Sequence, residues 1–391
     1  MAGLDDLLDT LAEYPSLADT ACMTLPPEAY TNNELYELEM ERIFKREWLC
    51  VGREDRVAAP GDFFTIDVVG EPMLIVRGTD LKLRALSSVC RHRYMPVASG
   101  SGNRKTFTCP YHSWVYATDG RLVGAPLMEG STVFDRKACS LPEFRLEIWQ
   151  GFIFVNLDDN AEPLASRLAE ASELLANYRT GRLVTGLAYE DTWHGNWKLA
   201  SENGMEFYHH QGLHRSTLEA AIPAAGTYVQ PAPERGTFTH SRCPFAPDGL
   251  TDRATLGVID TAGLTLTEEE ASTVYALTVF PNLSLAMTPD SNNWLSFLPT
   301  GIESTHVIGG YLVLSEAAQV DPEAVRARND LIFRVNQEDS LATIELTKAI
   351  KSAKAVRGPL SPLEGPCAQL YKYLARTLAA DRIPARAVAA E

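Results

Sequence analysis

A chain of 391 residues is long enough for two or three domains, each with its own core. Hydrophobic residues make up 45%, ordinary for a globular enzyme, and a formal net charge of -16 with a pI near 5.0 argues against nucleic acid, which needs basic surfaces. No stretch reaches eighteen consecutive apolar residues, and the acidic opening MAGLDDLLDTLAEYPSL has no basic n-region or twin-Arg pair, so neither a membrane span nor an export signal is expected. Of seven cysteines, Cys22, Cys50, Cys139, Cys243 and Cys367 are scattered and odd in number. That is no disulfide framework, and the cytoplasm is the expected setting.

In chain order, residues 5–20 carry a helical pattern with Leu7, Leu8 and Leu11 on one face. A second helix follows in TNNELYELEMERIFKREW, with Asn32 or Asn33 as its cap. From about Trp48 the chain changes to short runs broken by Gly, Pro and Asp (WLCVG, DFFTIDV, PMLIVRG, LRALSSV), which predict an antiparallel β domain closing at WQGFIFVNLD. Asp119-Gly120 marks a hairpin within it. Residues 160–180 read as helical, LVTGLAYEDTWHG as a strand, and NWKLASENGMEFYHHQGLH as a helix. Residues 215–270, rich in Pro, Gly and Thr, read as an irregular lid. Three strand-like runs follow (VYALTVFPNLSLAMT, NWLSFLPTG, THVIGGYLVL). Asp321-Pro322-Glu323 then caps a long helix bearing Ile332, Val335 and Ile344, and a last helix uses Leu370, Tyr371 and Leu374. The predicted fold class is α+β, with an N-terminal helical segment at 1–44, a β domain at 45–158 and a second domain at 159–391.

Two Cys/His pairs lie in the β domain: Cys90-x-His92, then sixteen residues, then Cys109-x2-His112. Two thiolates and two imidazoles suit a [2Fe–2S] cluster in which histidines replace cysteines on one iron, the Rieske arrangement. A Cys2His2 zinc finger pairs Cys with Cys and His with His, whereas each pair here is mixed. A relay of this kind needs an acceptor. Glu206 and His209, three apart, share a helical face; His214 is five further on, and Gly212 would let the helix end or bulge so that both imidazoles meet one ion. Two histidines and one carboxylate make the facial triad of a non-haem Fe(II) oxygenase. The carboxylate is expected from Glu338 or Asp339 in the long helix, while His210 reads as a packed histidine.

With these residues in hand, the chain resembles the catalytic α subunits of Rieske non-haem iron oxygenases over about residues 30–380. The Cys90/His92/Cys109/His112 pattern is similar to the cluster motif of that family, and NWKLASENGMEFYHHQGLH to its mononuclear-iron motif. The resemblance implies a Rieske domain followed by a helix-grip (START/Bet v 1-like) domain, with His209, His214 and Asp339 as iron ligands. It further implies electrons from NAD(P)H through a separate flavin/iron–sulfur reductase, with or without a ferredoxin, and a head-to-tail homotrimer. There Glu206 would bridge His112 of one protomer and His209 of its neighbour. The expected reaction is hydroxylation or oxidative demethylation of a small organic substrate with O2. Glu at the bridge, with short spacing after Glu202-Asn203, resembles the monooxygenase members acting on quaternary amines such as carnitine, betaines and stachydrine. A cationic substrate would call for an aromatic box, for which Tyr275, Phe280, Trp294 and Phe297 are candidates. The alternatives are an aromatic-ring dioxygenase α subunit with a β partner, acting on an aromatic acid, a pure electron carrier, which would need only the first 160 residues or so, and a degenerate, non-catalytic binding homologue, disfavoured because every expected ligand type is present.

Overall fold

The short apolar runs of the first half become the strands of one compact unit, Lys45–Ala161, in a computed structural model that describes residues 3–247, 265–289, 291–314 and 322–383. Its strands are β1 (Leu49–Arg53), β2 (Asp62–Val68), β3 (Glu71–Arg77), β4 (Leu83–Ser87), β5 (Ser101–Asn103), β6 (Thr106–Thr108), β7 (Val115–Ala117), β8 (Leu122–Gly124), β9 (Glu143–Trp149) and β10 (Phe152–Asn156). They pair antiparallel in a seven-stranded sheet ordered β1-β10-β9-β4-β3-β2-β5, with β6-β7-β8 as a separate small sheet. Gly120 turns the β7–β8 hairpin at φ +84°, a conformation open to glycine. Strand β9 is not evident in the sequence, because EFRLEIW mixes charge with apolar residues and is mostly half-buried rather than cleanly two-faced. Phe63, Leu74, Phe107, Trp114 and Tyr116 form the core beneath Cys90 and Cys109, so the cysteine loops rest on apolar packing.

The second unit combines Met1–Phe44 with Glu162–Glu391. Its sheet contains β11 (Leu183–Trp193), β12 (Tyr228–Val229), β13 (Phe238–Pro244), β14 (Thr273–Val279), β15 (Leu283–Thr288), β16 (Ser291–Gly301) and β17 (Ser304–Leu314), all antiparallel in the order β11-β17-β16-β15-β14-β13-β12. Helices α3 (Trp197–Asn203), α4 (Pro322–Ile350) and α5 (Gly365–Leu378) pack on it, and α1 (Leu4–Glu13) packs on α5 and α2 (Asn33–Glu39). This is the helix-grip arrangement: one long helix, α4, against a wide antiparallel sheet. Asn32 caps α2 by accepting from the Leu35 amide, and α1 buries Leu7, Leu8 and Leu11. Gly195 lets α4 come close, since a Cβ there would collide with Thr343.

Two expectations need correction. VYALTVFPNLSLAMT is a hairpin, β14 and β15, rather than one strand, with the turn at Phe280-Pro281-Asn282. The irregular reading of 215–270 fails at β13, which is buried through Phe238–Cys243. Its polar residues hide it from a hydrophobicity pattern, yet three of the four find partners: Thr239 donates to Gln369 (2.6 Å), His240 meets the Tyr275 hydroxyl (2.7 Å) and Arg242 donates to Thr273 (3.2 Å), while the Ser241 hydroxyl is buried without one. Residues 248–264 of the expected lid, and the expected cap Asp321, lie outside the described residues.

A buried ion pair ties α2 to α3. Lys198 Nζ lies 2.6 Å from Glu39 Oε1 with both side chains 1% exposed, and Trp197 Nε1 donates to Glu39 Oε2 at 2.8 Å. Removing one partner strands the other charge in an apolar setting. Glu39→Ala is therefore expected to lower stability by about 3–5 kcal/mol, read by chemical denaturation, whereas Glu345→Ala, which breaks an exposed pair with Lys348, should move it by well under about 1 kcal/mol.

Candidate metal centres

In the first unit, Cys90 follows β4 and Cys109 follows β6, and the two loops are geometric copies. In each, the residue four on from the cysteine donates its amide to the cysteine carbonyl (Tyr94 to Cys90, 3.1 Å; Ser113 to Cys109, 3.0 Å). In each, the cysteine amide donates to the carbonyl five residues on (Met95, 2.9 Å; Trp114, 2.7 Å). Tyr94 and Ser113 both take positive φ, 61° and 58°, to close these turns. Nothing in the sequence signals that strain, because neither residue is glycine.

The loops bring Cys90 and Cys109, each 1% exposed, into contact and set the His92 and His112 rings 4.5 Å apart. His92 stacks on Trp114 at 4.9 Å and 9°, and the Tyr116 hydroxyl lies 3.3 Å from Cys90 Sγ. Burial raises the Cys109 thiol, and the neighbouring Cys90 adds to this. Thiolates here therefore need a positive counter-charge, as iron supplies. His92 Nδ1 is buried without a hydrogen-bond partner. Two abutting thiols, two adjoining imidazoles and an orphaned ring nitrogen form a donor set that fits a [2Fe–2S] cluster.

In the second unit the expected helix over 197–214 is only half formed. Helix α3 ends at Asn203, because Ser284 of β15 donates to the Gly204 carbonyl at 2.5 Å and Phe297 crowds the glycine face. Glu206 lies in the turn that follows, and His209 in the 3-10 turn Tyr208–Gln211. Gly212 has φ -101°, so its left-handed freedom goes unused. The chain delivers Glu206 and His209 together through a tight turn and not through helical spacing.

That turn converges on α4. His214 Nε2 is 3.0 Å from Asp339 Oδ1 and His209 Nε2 is 3.9 Å from it, and all three residues offer a ligand atom within 4.8 Å of one another. Asn203 Nδ2 donates to the same Asp339 oxygen at 3.1 Å. The opposite ring nitrogens are held by other carboxylates: His209 Nδ1 by Glu206 Oε1 at 2.8 Å, and His214 Nδ1 by Glu338 Oε2 at 2.6 Å. Thr217 also donates to that Glu338 oxygen, at 2.7 Å. With Nδ1 protonated toward a carboxylate, each Nε2 is left as a free lone pair facing Asp339. Two imidazole nitrogens and a carboxylate oxygen on one side of a cavity fit a divalent iron with open positions. Glu338 thus holds the His214 Nδ1 side while Asp339 faces Nε2, an arrangement the sequence alone does not reveal.

A cavity of about 160 Å³ opens from these groups between the sheet and α4. Phe207, Ala276, Leu285, Trp294 and Leu331 give it an apolar wall. Of the four aromatic residues expected to form a box, only Trp294 lines it. Tyr275 packs against Arg242, Phe280 stacks on Tyr373 and Phe297 tilts on Trp193. His210 is buried against the Ile222 carbonyl at 3.2 Å, and burial pushes its pKa down to about 3, so it stays neutral.

Burial works against a charged His214, but Asp339 and Glu338 outweigh it and hold its pKa above the ordinary value of 6.5. In the metal-free protein this stabilisation is complete below about pH 6.5 and fades as pH rises through the raised value. Iron needs the neutral ring, so its affinity runs the other way, gaining up to about tenfold per pH unit across that window. Iron titrations at pH 6 and pH 8 check the direction. At pH 8, Asp339→Ala is expected to abolish stoichiometric binding, and Glu338→Ala to weaken it about 10–100-fold.

Comparison with known proteins finds both kinds of domain. The model for the ring hydroxylating alpha subunit (catalytic domain) matches residues 182–380, and that for the Rieske [2Fe-2S] domain matches residues 47–144. Benzene 1,2-dioxygenase subunit alpha of Pseudomonas putida is 36% identical over 220 residues, covering 54% of this chain and 49% of that protein. The carnitine monooxygenase oxygenase subunit of Acinetobacter baumannii is 35% identical over 218 residues, covering 54% and 56%. The chain spans about half the length of the curated relatives it matches. A quaternary ammonium Rieske monooxygenase superposes with a TM-score of 0.80 at 22% identity, covering 94% of this chain and 98% of that one. Naphthalene 1,2-dioxygenase from Rhodococcus sp. gives 0.78 at 20%, covering 97% and 98%; at these identities the likeness is one of fold. Two family models and two matching donor sets lead to one assignment: the chain belongs to the ring-hydroxylating α-subunit family, whose members join a Rieske [2Fe–2S] domain to a mononuclear-iron catalytic domain.

Proposed function

We propose that the protein is the oxygenase component of a multicomponent system that hydroxylates, or oxidatively demethylates, a small organic substrate. The observation that carries this reading is the convergence of His209, His214 and Asp339 at the end of a largely apolar cavity. In the overall reaction the substrate C–H, O2, two electrons and two protons yield C–OH and water. The bound iron supplies O2 activation, and the cluster supplies one-electron relay. Cys90, His92, Cys109 and His112 hold the cluster. His209, His214 and Asp339 hold the iron, Glu206 and Glu338 orient its histidines, and the apolar wall limits water around the reacting carbon. When the hydroxylated carbon is an N-methyl group, the product loses formaldehyde and the amine is demethylated.

Electrons come from NAD(P)H through a separate flavin/iron–sulfur reductase, and the working unit is a head-to-tail homotrimer in a cytoplasmic setting. Charge distribution supports docking between copies. Residues 45–161 carry 15 Lys and Arg against 14 Asp and Glu, so the net charge of -16 resides in the rest of the chain. At the cluster tips Arg91, Arg93, Tyr94 and Tyr111 are exposed. In the second unit a concavity beside His209 is lined by Glu202, Glu206, Glu345 and Glu364, and burial pushes Glu202 up to about 7. A basic tip meeting an acidic recess would bring His112 of one protomer to Glu206 of the next. The carnitine monooxygenase relative supports a quaternary amine as substrate, and the benzene dioxygenase relative supports the aromatic alternative.

Two variants test this reading. His209→Ala is expected to lose mononuclear iron and all turnover while keeping the visible spectrum of the cluster; loss of that spectrum would refute two separate centres. Glu206→Gln is expected to retain both metals yet slow substrate-driven cluster reoxidation at least about tenfold, followed by stopped-flow absorbance.

A further inference from the structure

Several of the polar groups that line the cavity are engaged with the protein itself. Asn203 donates to Asp339 (3.1 Å), Ser284 donates to the Gly204 carbonyl (2.5 Å), and His210 Nδ1 is turned to the Ile222 carbonyl (3.2 Å). Two carboxamides differ. Asn336 of α4 lines the cavity, is 5% exposed, and has no side-chain hydrogen-bond partner among the described residues. Asn293 of β16 lines it from the sheet, and its Oδ1 is buried without a partner. A buried amide left unpaired is costly to the fold.

Asn336 stands three residues before Asp339, so the two share one face of α4, about 4.5 Å apart along its axis. Leu331 and Val335 continue the helix wall with apolar groups. On the sheet wall Ala276 pairs with Ala286, and Ala286 with Asn293, so these small side chains share one sheet face and leave room for a guest. An amide in such a wall is satisfied only by what enters the cavity. The surrounding charge selects the class of guest. Asp339 is one turn away and Glu206 lines the same cavity, so a carboxylate at this depth would meet like charge. A fully substituted ammonium has no hydrogen to donate.

We infer that Asn336 is a specificity-determining residue that hydrogen-bonds the substrate. The substrate then carries an uncharged group able both to donate and to accept, a hydroxyl or a carboxamide, within a few bonds of the carbon presented to the iron. A carboxamide offers two donors and an acceptor oxygen, which match such a group. A site of this kind rejects an analogue lacking the group, because its own buried amide then stays unpaired. This rests on the oxygenase reading and narrows it. A betaine needs a hydroxyl or amide besides its ammonium, an aromatic substrate needs one as a substituent, and a bare hydrocarbon leaves Asn336 unsatisfied.

The test is calorimetric titration of the metal-loaded, full-length protein with matched probes. L-Carnitine is compared with gamma-butyrobetaine, which lacks its hydroxyl, and benzyl alcohol and benzamide are each compared with toluene, which separates a hydroxyl from an amide. At least one polar probe is expected to bind at least about tenfold more tightly than its partner. Asn336→Leu, close in volume but unable to hydrogen-bond, should abolish that preference with cluster spectrum and iron content retained. It should also melt at the same temperature or higher, because it removes an unpaired buried amide. Asn336→Ala repeats the comparison should the leucine variant fail to fold. The assignment is overturned if no polar probe outbinds its partner on the native protein, if either variant keeps the preference, or if both variants melt several degrees lower or lose iron, as an amide serving the fold or the metal would require. Selective binding with no reductase-dependent O2 uptake would count against the oxygenase reading and leave the contact standing, so the two fail separately.

Discussion

Two imidazole–carboxylate pairs aimed at a third carboxylate are the constraint on which the catalytic unit depends. Glu206 holds His209, Glu338 holds His214, and both free ring nitrogens face Asp339, which is itself 6% exposed. Glu206, Asp339 and His214 are deeply buried, with His209 and Glu338 at the edge, and crowding these groups is costly; Asn203 and Thr217 offset only part of that cost. A divalent cation held by His209, His214 and Asp339 would balance the charge and turn the cost into metal affinity. This explains why the buried face of α4 turns polar around Asp339, with Asn336 and Thr343 also buried where an ordinary core helix would continue with apolar residues.

Holding that arrangement requires the polypeptide around it to be rigid at several separate points. The Glu39–Lys198 pair and the Trp197 indole anchor α3, whose last residue, Asn203, reaches Asp339. Ser284 and Phe297 stop α3 at Gly204, which frees the next five residues to turn and present Glu206 and His209. Gly195 allows α4 to approach closely enough for Asp339 to meet the histidines. Each of these contacts acts on where His209, His214 and Asp339 stand.

The cluster loops reach the same end by different means. A small unit cannot bury a highly charged inorganic group under a large core, so it repeats one hydrogen-bonded turn twice, with Tyr94 and Ser113 accepting left-handed backbone. The duplicated turn presents one thiol and one imidazole from each side, over a floor of Trp114, Tyr116 and Phe107.

The chain by itself determined the contiguous parts. Cys90, His92, Cys109 and His112 lie in two short loops, and Glu206, His209 and His214 fall within nine residues, so their chemistry is legible from type and spacing. Apolar period marked most strands and the helices α1, α2, α4 and α5, because those elements bury one face. Period failed at β9, where charged and apolar residues are mixed, at β13, whose buried polar side chains mostly find partners from other elements, and at 204–214, where a strand's hydroxyl ended a helix that the local pattern would have continued. Only the tertiary structure decided which of Glu338 and Asp339 faces both Nε2 atoms and which of four aromatic residues reach the cavity. Those choices rest on contacts between residues more than a hundred positions apart or on the direction of one helix face, and they arise from packing, which no local pattern encodes.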